Sequence, residues 1–425
     1  MTPARKTELI CLGDELLLGL RTNEHLRYLG AQLSAHALPL AASHEVSDAR
    51  TQIESTFAAA WRRSDLVITT GGLGPTGDDR TRESLAHVLG LELRHDPATE
   101  DRLLRFFADR GYSMTENNLR QCLLLEGAEA LPNAHGTAPG QWLERDGKLL
   151  VMLPGPPREL CPMFEEQVLP RLVAQGWARR DERTVEFRTS GLGESALADR
   201  LERLLAGRLE EIDIAYCAHA GFVDVRLHPR HADVHGDVLL EAGRLSEVAL
   251  GADFVDYGQP DLARLIVRHL RCLGKRLAVA ESCTGGLLAS RFTDVPGASK
   301  VFLGGVVCYR NETKSALLDV PEEILEQHGA VSPETSVAMA TGAAERLGAD
   351  YALSVTGYAG PEGGREPVGT IYLGYVSPVG VWSRKIVGSG SRLAVKERAV
   401  NGALDFMRRK LRKYATQDFL DCMCC

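Results

Sequence analysis

No stretch of the sequence approaches the roughly 18 apolar residues that a membrane-spanning helix needs, so no segment is expected to cross a bilayer. The N-terminal run MTPARKTELICLGDELLLGL lacks an unbroken apolar core, because Arg5, Lys6, Glu8, Asp14 and Glu15 interrupt it. It does not read as a secretory signal, and a cytoplasmic location is the expectation. Positive charge is also in short supply: 49 Lys and Arg stand against 57 Asp and Glu, a net charge of −8. That argues against general nucleic-acid binding, which calls for a basic surface, and leaves room only for a local basic patch. Paired zinc spacing is missing among the ten cysteines, and a chain of this size needs no disulfides to build a core. Most of them read as small buried hydrophobes, and the terminal DCMCC as a frayed end rather than a site for a soft metal or redox partner.

What is present is an ordinary globular composition, 44% hydrophobic and 25% charged, over 425 residues. At about 100–200 residues per domain this gives two to four domains. Up to residue 170, short apolar runs alternate with helical patterns: TELICL (7–12), DLVITT (65–70) and LLVMLPG (149–155) read as buried strands. This alternation predicts a parallel sheet with helices on both faces. Between 178 and 255, RTVEFRTSGLG and GFVDVRLHPR show half-exposed strand character beside charged helical patterns, which predicts a small α+β module. Its His228, His231 and His235 read as solvated loop residues, since the spacing lacks a metal-site context. From 258 the alternation resumes with KRLAVA, VFLGGVVCY, YALSVTG and GTIYLGYV as strands. SPETSVAMATGAAERLGA (332–349) is a helix with Ser332 as its cap, Pro333 at its first position and Gly348 near its end.

Two strand-to-helix turns carry the chemistry. In the first, TTGGLGPTGDDRT (69–81), Gly71, Gly72, Gly74 and Gly77 allow backbone conformations and close approach that side chains would block. Exposed amides ahead of a helix suit an anion, and Thr76 adds a hydroxyl. Asp78 and Asp79 sit where a phosphate would go, which makes sense when a divalent metal or a polar ligand group mediates. In the second, VAESCTGGLLAS (279–290), Ser282 and Cys283 are rival nucleophiles. The amides of Thr284, Gly285 and Gly286 are candidate oxyanion donors, or else Ser282 or Thr284 is simply a helix cap. No Ser-His-Asp set is visible. Instead VVCYRNETKSALL offers Tyr309 at the end of a strand, Asn311 as a cap for the next helix and Lys314 on its first turn, a candidate base of lowered pKa.

The first string, with LGDELLLG (12–19), NAHGTAPG (133–140) and LPGPPREL (153–160), resembles the molybdopterin-binding (MoCF-type) domain that opens CinA-family proteins. ESCTGG, Y-x-N-x-x-K, SVTGYAGP and PVGT resemble the C-terminal CinA domain, the nicotinamide-nucleotide amidase family. The resemblance implies an α/β fold: two three-layer α/β domains (1–172 and 258–415) joined by a small α+β domain (178–256), with a tail at 416–425. It implies deamidation of nicotinamide mononucleotide by Ser282 with Lys314 and Tyr309 assisting, directly or through the tyrosine. Substrate would be held by Thr284, Gly285, Gly286, Asn311, Thr356, Gly357, Arg392 and the 357–364 loop, with no cofactor. A second family arginine is replaced by Lys396, which keeps the charge and loses the bidentate fork. For the N-terminal domain it implies a metal-dependent ADP-ribose pyrophosphatase site at Glu15, Asn23, Gly71, Gly72, Gly74, Thr76, Asp78 and Asp79, the two aspartates being the metal candidates. Asp14 stands where the family commonly has Thr, an extra carboxylate near that site. It keeps open an alternative: a competence- or DNA-damage-related interaction protein whose first domain binds a nucleotide or pterin without turnover. A homodimer is implied in either case.

Overall fold

The computed structural model describes residues 5–179, 183–231 and 233–414, so the DCMCC end lies outside the described residues. The chain divides into two compact units, residues 1–181 and 182–425.

The first unit is built on a six-stranded sheet in the spatial order Leu40–Val46, Thr7–Leu12, Leu66–Thr70, Lys148–Leu153, Gly140–Arg145, Glu129–Leu131. The first four strands are parallel, Gly140–Arg145 runs against them, and Glu129–Leu131 pairs antiparallel with Gly140–Arg145. The sheet is therefore mixed, where the sequence predicted a parallel one. The cause is local: Asp146 and Gly147 take positive φ values of 52° and 74°, a two-residue turn that folds Gly140–Arg145 back beside Lys148–Leu153. Side chains of the central strands alternate between two cores. Leu9, Cys11, Ile68 and Val151 pack with Leu29, Leu33 and Phe164 on one face, while Ile10, Leu12, Val67 and Leu150 pack with Ile53, Phe57 and Leu85 on the other. Helices thus cover both faces, which is why these strands read as unbroken apolar runs.

The second unit holds two sheets. The larger has the order Phe302–Val307, Leu277–Glu281, Tyr351–Gly357, Thr370–Ser377, Gly380–Val387. Its first three strands are parallel, Thr370–Ser377 pairs antiparallel with Tyr351–Gly357, and Gly380–Val387 pairs antiparallel with Thr370–Ser377. Leu277, Val279, Leu353 and Val355 face the helices Leu262–Cys272 and Arg392–Lys413; Ala278, Ala280 and Ala352 face Pro333–Leu347. The small residues on that second face let Pro333–Leu347 lie close to the sheet. This helix is capped as expected, with the Ser332 hydroxyl accepting the Thr335 N–H and Gly348 left-handed at its end.

The smaller sheet is antiparallel, ordered Ile212–His219, Phe222–Pro229, Val185–Ser190, Phe254–Tyr257, and its core of Phe187, Leu197, Val225 and Leu239 lies under two helices. It is fastened to the larger domain of the same unit. Buried Asp405, on Arg392–Lys413, accepts hydrogen bonds from Ser190 Oγ (2.8 Å), Arg408 (2.7 Å) and Arg409 (2.7 Å), and Arg409 continues to Asp253 (3.0 Å). Among the described residues, no three His, Cys, Asp or Glu side chains converge as a metal-ligand set, the histidines of this module included.

Two candidate active sites

In the first unit the Gly-rich turn after Leu66–Thr70 lines a cavity of about 650 Å³ with Gly13, Glu15, His25, Asp48, Asp78 and Asp79. Four successive carbonyls of this turn are drawn toward the following helix. Gly71 O accepts from Thr81 Oγ1 (3.0 Å), Gly72 O from Thr81 N (3.2 Å), and Leu73 O and Gly74 O from the Arg82 guanidinium (2.6 and 2.9 Å). A peptide's N–H points opposite to its C=O, so the N–H groups of Gly72, Leu73 and Gly74 are turned the other way. The positive φ of Gly71 (93°) and Gly72 (64°) makes this bend accessible without strain. Arg82 is fully buried, and burial lowers its pKa from the usual guanidinium value. Its role is not legible in the sequence, since an arginine in a helix's first turn reads as exposed.

The predicted residues divide. Glu15, Gly71, Gly72, Gly74, Asp78 and Asp79 line the cavity; Asn23 and Thr76 do not. The Asn23 side chain caps the helix Glu24–Ala35 by accepting the Leu26 N–H (2.9 Å) and donates to Glu45 (2.9 Å). Asp79 accepts from the Thr76 N–H (2.9 Å) and hydroxyl, so one of its oxygens is committed to the turn. Asp78 is exposed. A divalent ion fits here only as magnesium commonly binds, through one or two carboxylates plus phosphate oxygens of a ligand. Asp14 is not a cavity residue. Its carboxylate accepts the Asp48 N–H (3.3 Å) while Asp48 accepts the Asp14 N–H (3.1 Å), a reciprocal clasp between the start of the helical turn Asp14–Leu17 and the loop at 47–49. His25, which the sequence reading missed, spans the cavity wall from Thr70 Oγ1 (2.9 Å) to the Gly155 carbonyl (2.5 Å).

In the second unit, Leu277–Glu281 is an interior strand paired on both sides, and Ser282 follows at its carboxyl end with its N–H on the Val355 carbonyl (2.9 Å). The neighbouring strand ends at Val307, and the Cys308 N–H bonds the Glu281 carbonyl (2.8 Å). This pairing brings Lys314, on the first turn of Asn311–Leu318, over Ser282. Lys314 is fully buried, with Nζ 3.2 Å from Ser282 Oγ, 3.0 Å from Cys308 O and 3.1 Å from Tyr309 O. Among the described residues it has no ion pair with a carboxylate, and burial lowers its pKa from the usual lysine value. A neutral amine has two N–H groups and one lone pair. In that form two carbonyls can accept the N–H groups, which leaves the lone pair free to accept from the serine hydroxyl.

Several expectations need correction. The Tyr309 hydroxyl is not between lysine and serine: it accepts from Arg392 (2.9 Å), and only the Tyr309 backbone carbonyl contacts Lys314. Asn311 is the exposed first residue of its helix, and the cap comes from Thr313 Oγ1, which accepts the Arg310 N–H (3.2 Å). Gly286 is not a free oxyanion donor, because its N–H bonds the Glu281 carboxylate (3.0 Å). Neither Ser282 nor Thr284 caps the next helix. The Thr356 hydroxyl, fully buried, is committed to the Ala330 carbonyl (2.6 Å), and Gly357 ends its strand with no room for a Cβ against Thr370 O. Arg392 is exposed and joins the Gly360 carbonyl to Tyr309, while Lys396 Nζ lies 3.9 Å from where a Gly285 Cβ would be. Two cations therefore flank the serine turn. Cys283 is 6% exposed within the core, and burial pushes its thiol up to about 12.

Fold and sites together define an α/β protein that carries a Gly-rich cavity on one sheet and a buried serine–lysine pair on another. The chain belongs to the CinA family of competence-damage inducible proteins. Residues 8–174 match the "Probable molybdopterin binding domain", 184–236 the damage-inducible protein CinA KH domain, and 259–411 the CinA C-terminal domain. A competence-damage inducible protein of Symbiobacterium thermophilum is 43% identical over 424 residues, covering 96% of this chain and 99% of its own. One of Moorella thermoacetica is 42% identical over 416 residues, covering 96% of this chain and 99% of its own. Among solved structures, competence damage-inducible protein A of Klebsiella pneumoniae is 34% identical, covering 36% of this chain and 98% of its own, with a TM-score of 0.36.

Proposed function

We propose that the second unit is a nicotinamide mononucleotide amidohydrolase, producing nicotinate mononucleotide and ammonia. The observation that carries this reading is the buried, carboxylate-free Lys314 at 3.2 Å from Ser282 Oγ. The family resemblance supplies the substrate. Neutral Lys314 takes the Ser282 proton as Oγ attacks the carboxamide carbon. The resulting ammonium gives that proton to the leaving nitrogen, ammonia departs, and water activated by the regenerated amine hydrolyses the acyl-serine. Arg392 and Lys396 suit the substrate phosphate at the mouth. The purified chain given nicotinamide mononucleotide is expected to release one ammonia per nicotinate mononucleotide formed, with or without a chelator. Absence of ammonia in both conditions overturns the reading.

For the first unit, we propose binding of a dinucleotide such as ADP-ribose, with its phosphates on the outward N–H groups of the Gly-rich turn and pyrophosphate cleavage as the metal-dependent activity. A cation held by Asp78 and the phosphates would offset the ligand's charge beside Glu15 and Asp48. Binding without turnover, as in an interaction module, is the alternative, and no cleavage with any divalent ion would favour it. In either case Arg82→Met is expected to weaken ADP-ribose binding about tenfold or more by calorimetry, because the Leu73 and Gly74 carbonyls lose the group that turns them. Ammonia release should be unchanged, and unaltered ADP-ribose affinity would remove Arg82 from the account. A cytoplasmic homodimer is the proposed setting.

A further inference from the structure

Glu281 has no part in the chemistry above, yet it is a fully buried carboxylate immediately before the nucleophile. Its strand is otherwise apolar, LAVAE, so a carboxylate at this point needs partners. It has three. The N–H groups of Gly286 (3.0 Å) and Leu288 (2.9 Å) donate to one oxygen, and that of Ala289 (2.7 Å) to the other. The carboxylate thereby takes the amides of the cap residue Gly286 and of Leu288 and Ala289 in the short helix Leu287–Thr293. The Leu287 N–H bonds the Thr284 carbonyl (3.4 Å), and the turn 282–286 is fixed from its far end. Gly285 and Gly286 take left-handed φ values of 63° and 98° in that turn.

The amides left over are informative. The N–H groups of Cys283, Thr284 and Gly285 make no hydrogen bond among the described residues. The Thr284 hydroxyl is likewise buried without a partner. Unsatisfied polar groups clustered one and two residues from Cys283, next to Ser282, call for a ligand atom that accepts hydrogen bonds. An anion cannot take the helix amides, because Glu281 already holds them. Resting on the amidase reading, we propose that Glu281 is a positioning residue: its carboxylate pins the turn so that Thr284 and Gly285 present their N–H groups to the carboxamide oxygen as it becomes an oxyanion, and it diverts the substrate phosphate to Arg392 and Lys396.

Glu281→Gln places an NH2 group among three N–H donors, so at least one of the bonds is lost and the turn relaxes. Removing an oxyanion donor typically costs about 10²–10³ in kcat, so a fall of about 10²-fold is expected, with KM within about threefold. The aldehyde analogue of the substrate, CHO in place of CONH2, forms a tetrahedral adduct with Ser282. Its affinity should fall in step with kcat, while affinity for the product, nicotinate mononucleotide, stays unchanged. A Glu281→Gln variant with wild-type kcat overturns the proposal. So does a parallel loss of kcat, product affinity and melting temperature, which marks a purely structural residue. Amide exchange in the unmodified chain gives a second test that needs no variant to fold. Gly286, Leu288 and Ala289 should be protected before any addition, and Thr284 and Gly285 should become protected when the aldehyde is added. Fast exchange at Gly286 in the free chain, or no change at Thr284 and Gly285, overturns it. A wild-type chain that releases no ammonia instead removes the amidase reading itself, whereas an active wild type with a fully active Glu281→Gln removes only Glu281.

Discussion

Lys314→Met is expected to lower ammonia release from nicotinamide mononucleotide by about 10²–10⁴-fold, the range that a positioned general base contributes. Methionine fills nearly the same buried volume but has no lone pair of useful basicity and no N–H for the Cys308 and Tyr309 carbonyls. Lys314→Arg should not restore activity, because a guanidinium stays protonated and cannot accept the serine proton. The pH profile gives an independent check. Burial disfavours the ammonium form of Lys314 and so lowers its pKa. The neutral form is the active one, so kcat should rise with pH through that lowered pKa and level off below the ordinary lysine range near about 10.4. A Lys314→Met chain within a few-fold of wild type, or a profile that rises only through the ordinary lysine range, would exclude lysine as the base.

Ser282→Ala is expected to abolish ammonia release, while Cys283→Ala keeps most of it. The two side chains are adjacent in sequence and differ in surroundings. Ser282 faces the lysine, whereas Cys283 belongs to the core with Leu288 and Val355. A thiol pushed up to about 12 is almost wholly protonated at neutral pH, and only the thiolate is a strong nucleophile. Losing one sulfur from the core is expected to cost on the order of 1 kcal/mol in stability. Ammonia assays on both variants, with melting temperatures as a control, decide the matter; an inactive Cys283→Ala beside an active Ser282→Ala reverses the assignment.

Much of the architecture is legible in the sequence where burial is symmetrical. Thr7–Leu12 and Tyr351–Gly357 are covered on both faces, so nearly every residue is apolar or small and the strand declares itself. Leu40–Val46, Ile212–His219 and Gly380–Val387 escape the reading because each lies at a sheet edge, with an interrupted, mostly half-exposed burial pattern. Sequences such as LAASHEV and GVWSRKIV then carry too little apolar periodicity to stand out. Strand direction was also beyond reach for Gly140–Arg145, since the Asp146-Gly147 turn has to be recognised before the antiparallel return can be. Asp14 shows the same limit at the level of a site. In sequence it is a carboxylate beside a phosphate loop; in the structure its hydrogen bond goes to the Asp48 backbone.

By itself the sequence determined the ingredients: two glycine-bearing strand-to-helix turns, a serine and a cysteine side by side in one of them, and a lysine thirty-two residues later. Composition and local pattern suffice for that, because propensity and turn chemistry act over a few residues. The tertiary structure alone sets which of these ingredients meet. The pairing of Cys308 N–H with Glu281 O carries Lys314 to Ser282, and packing buries the lysine, the thiol and the Glu281 carboxylate in different ways. Basicity, nucleophilicity and the freedom of an amide to bind a ligand all depend on what surrounds a group. Those surroundings come from strands and helices far apart in the chain.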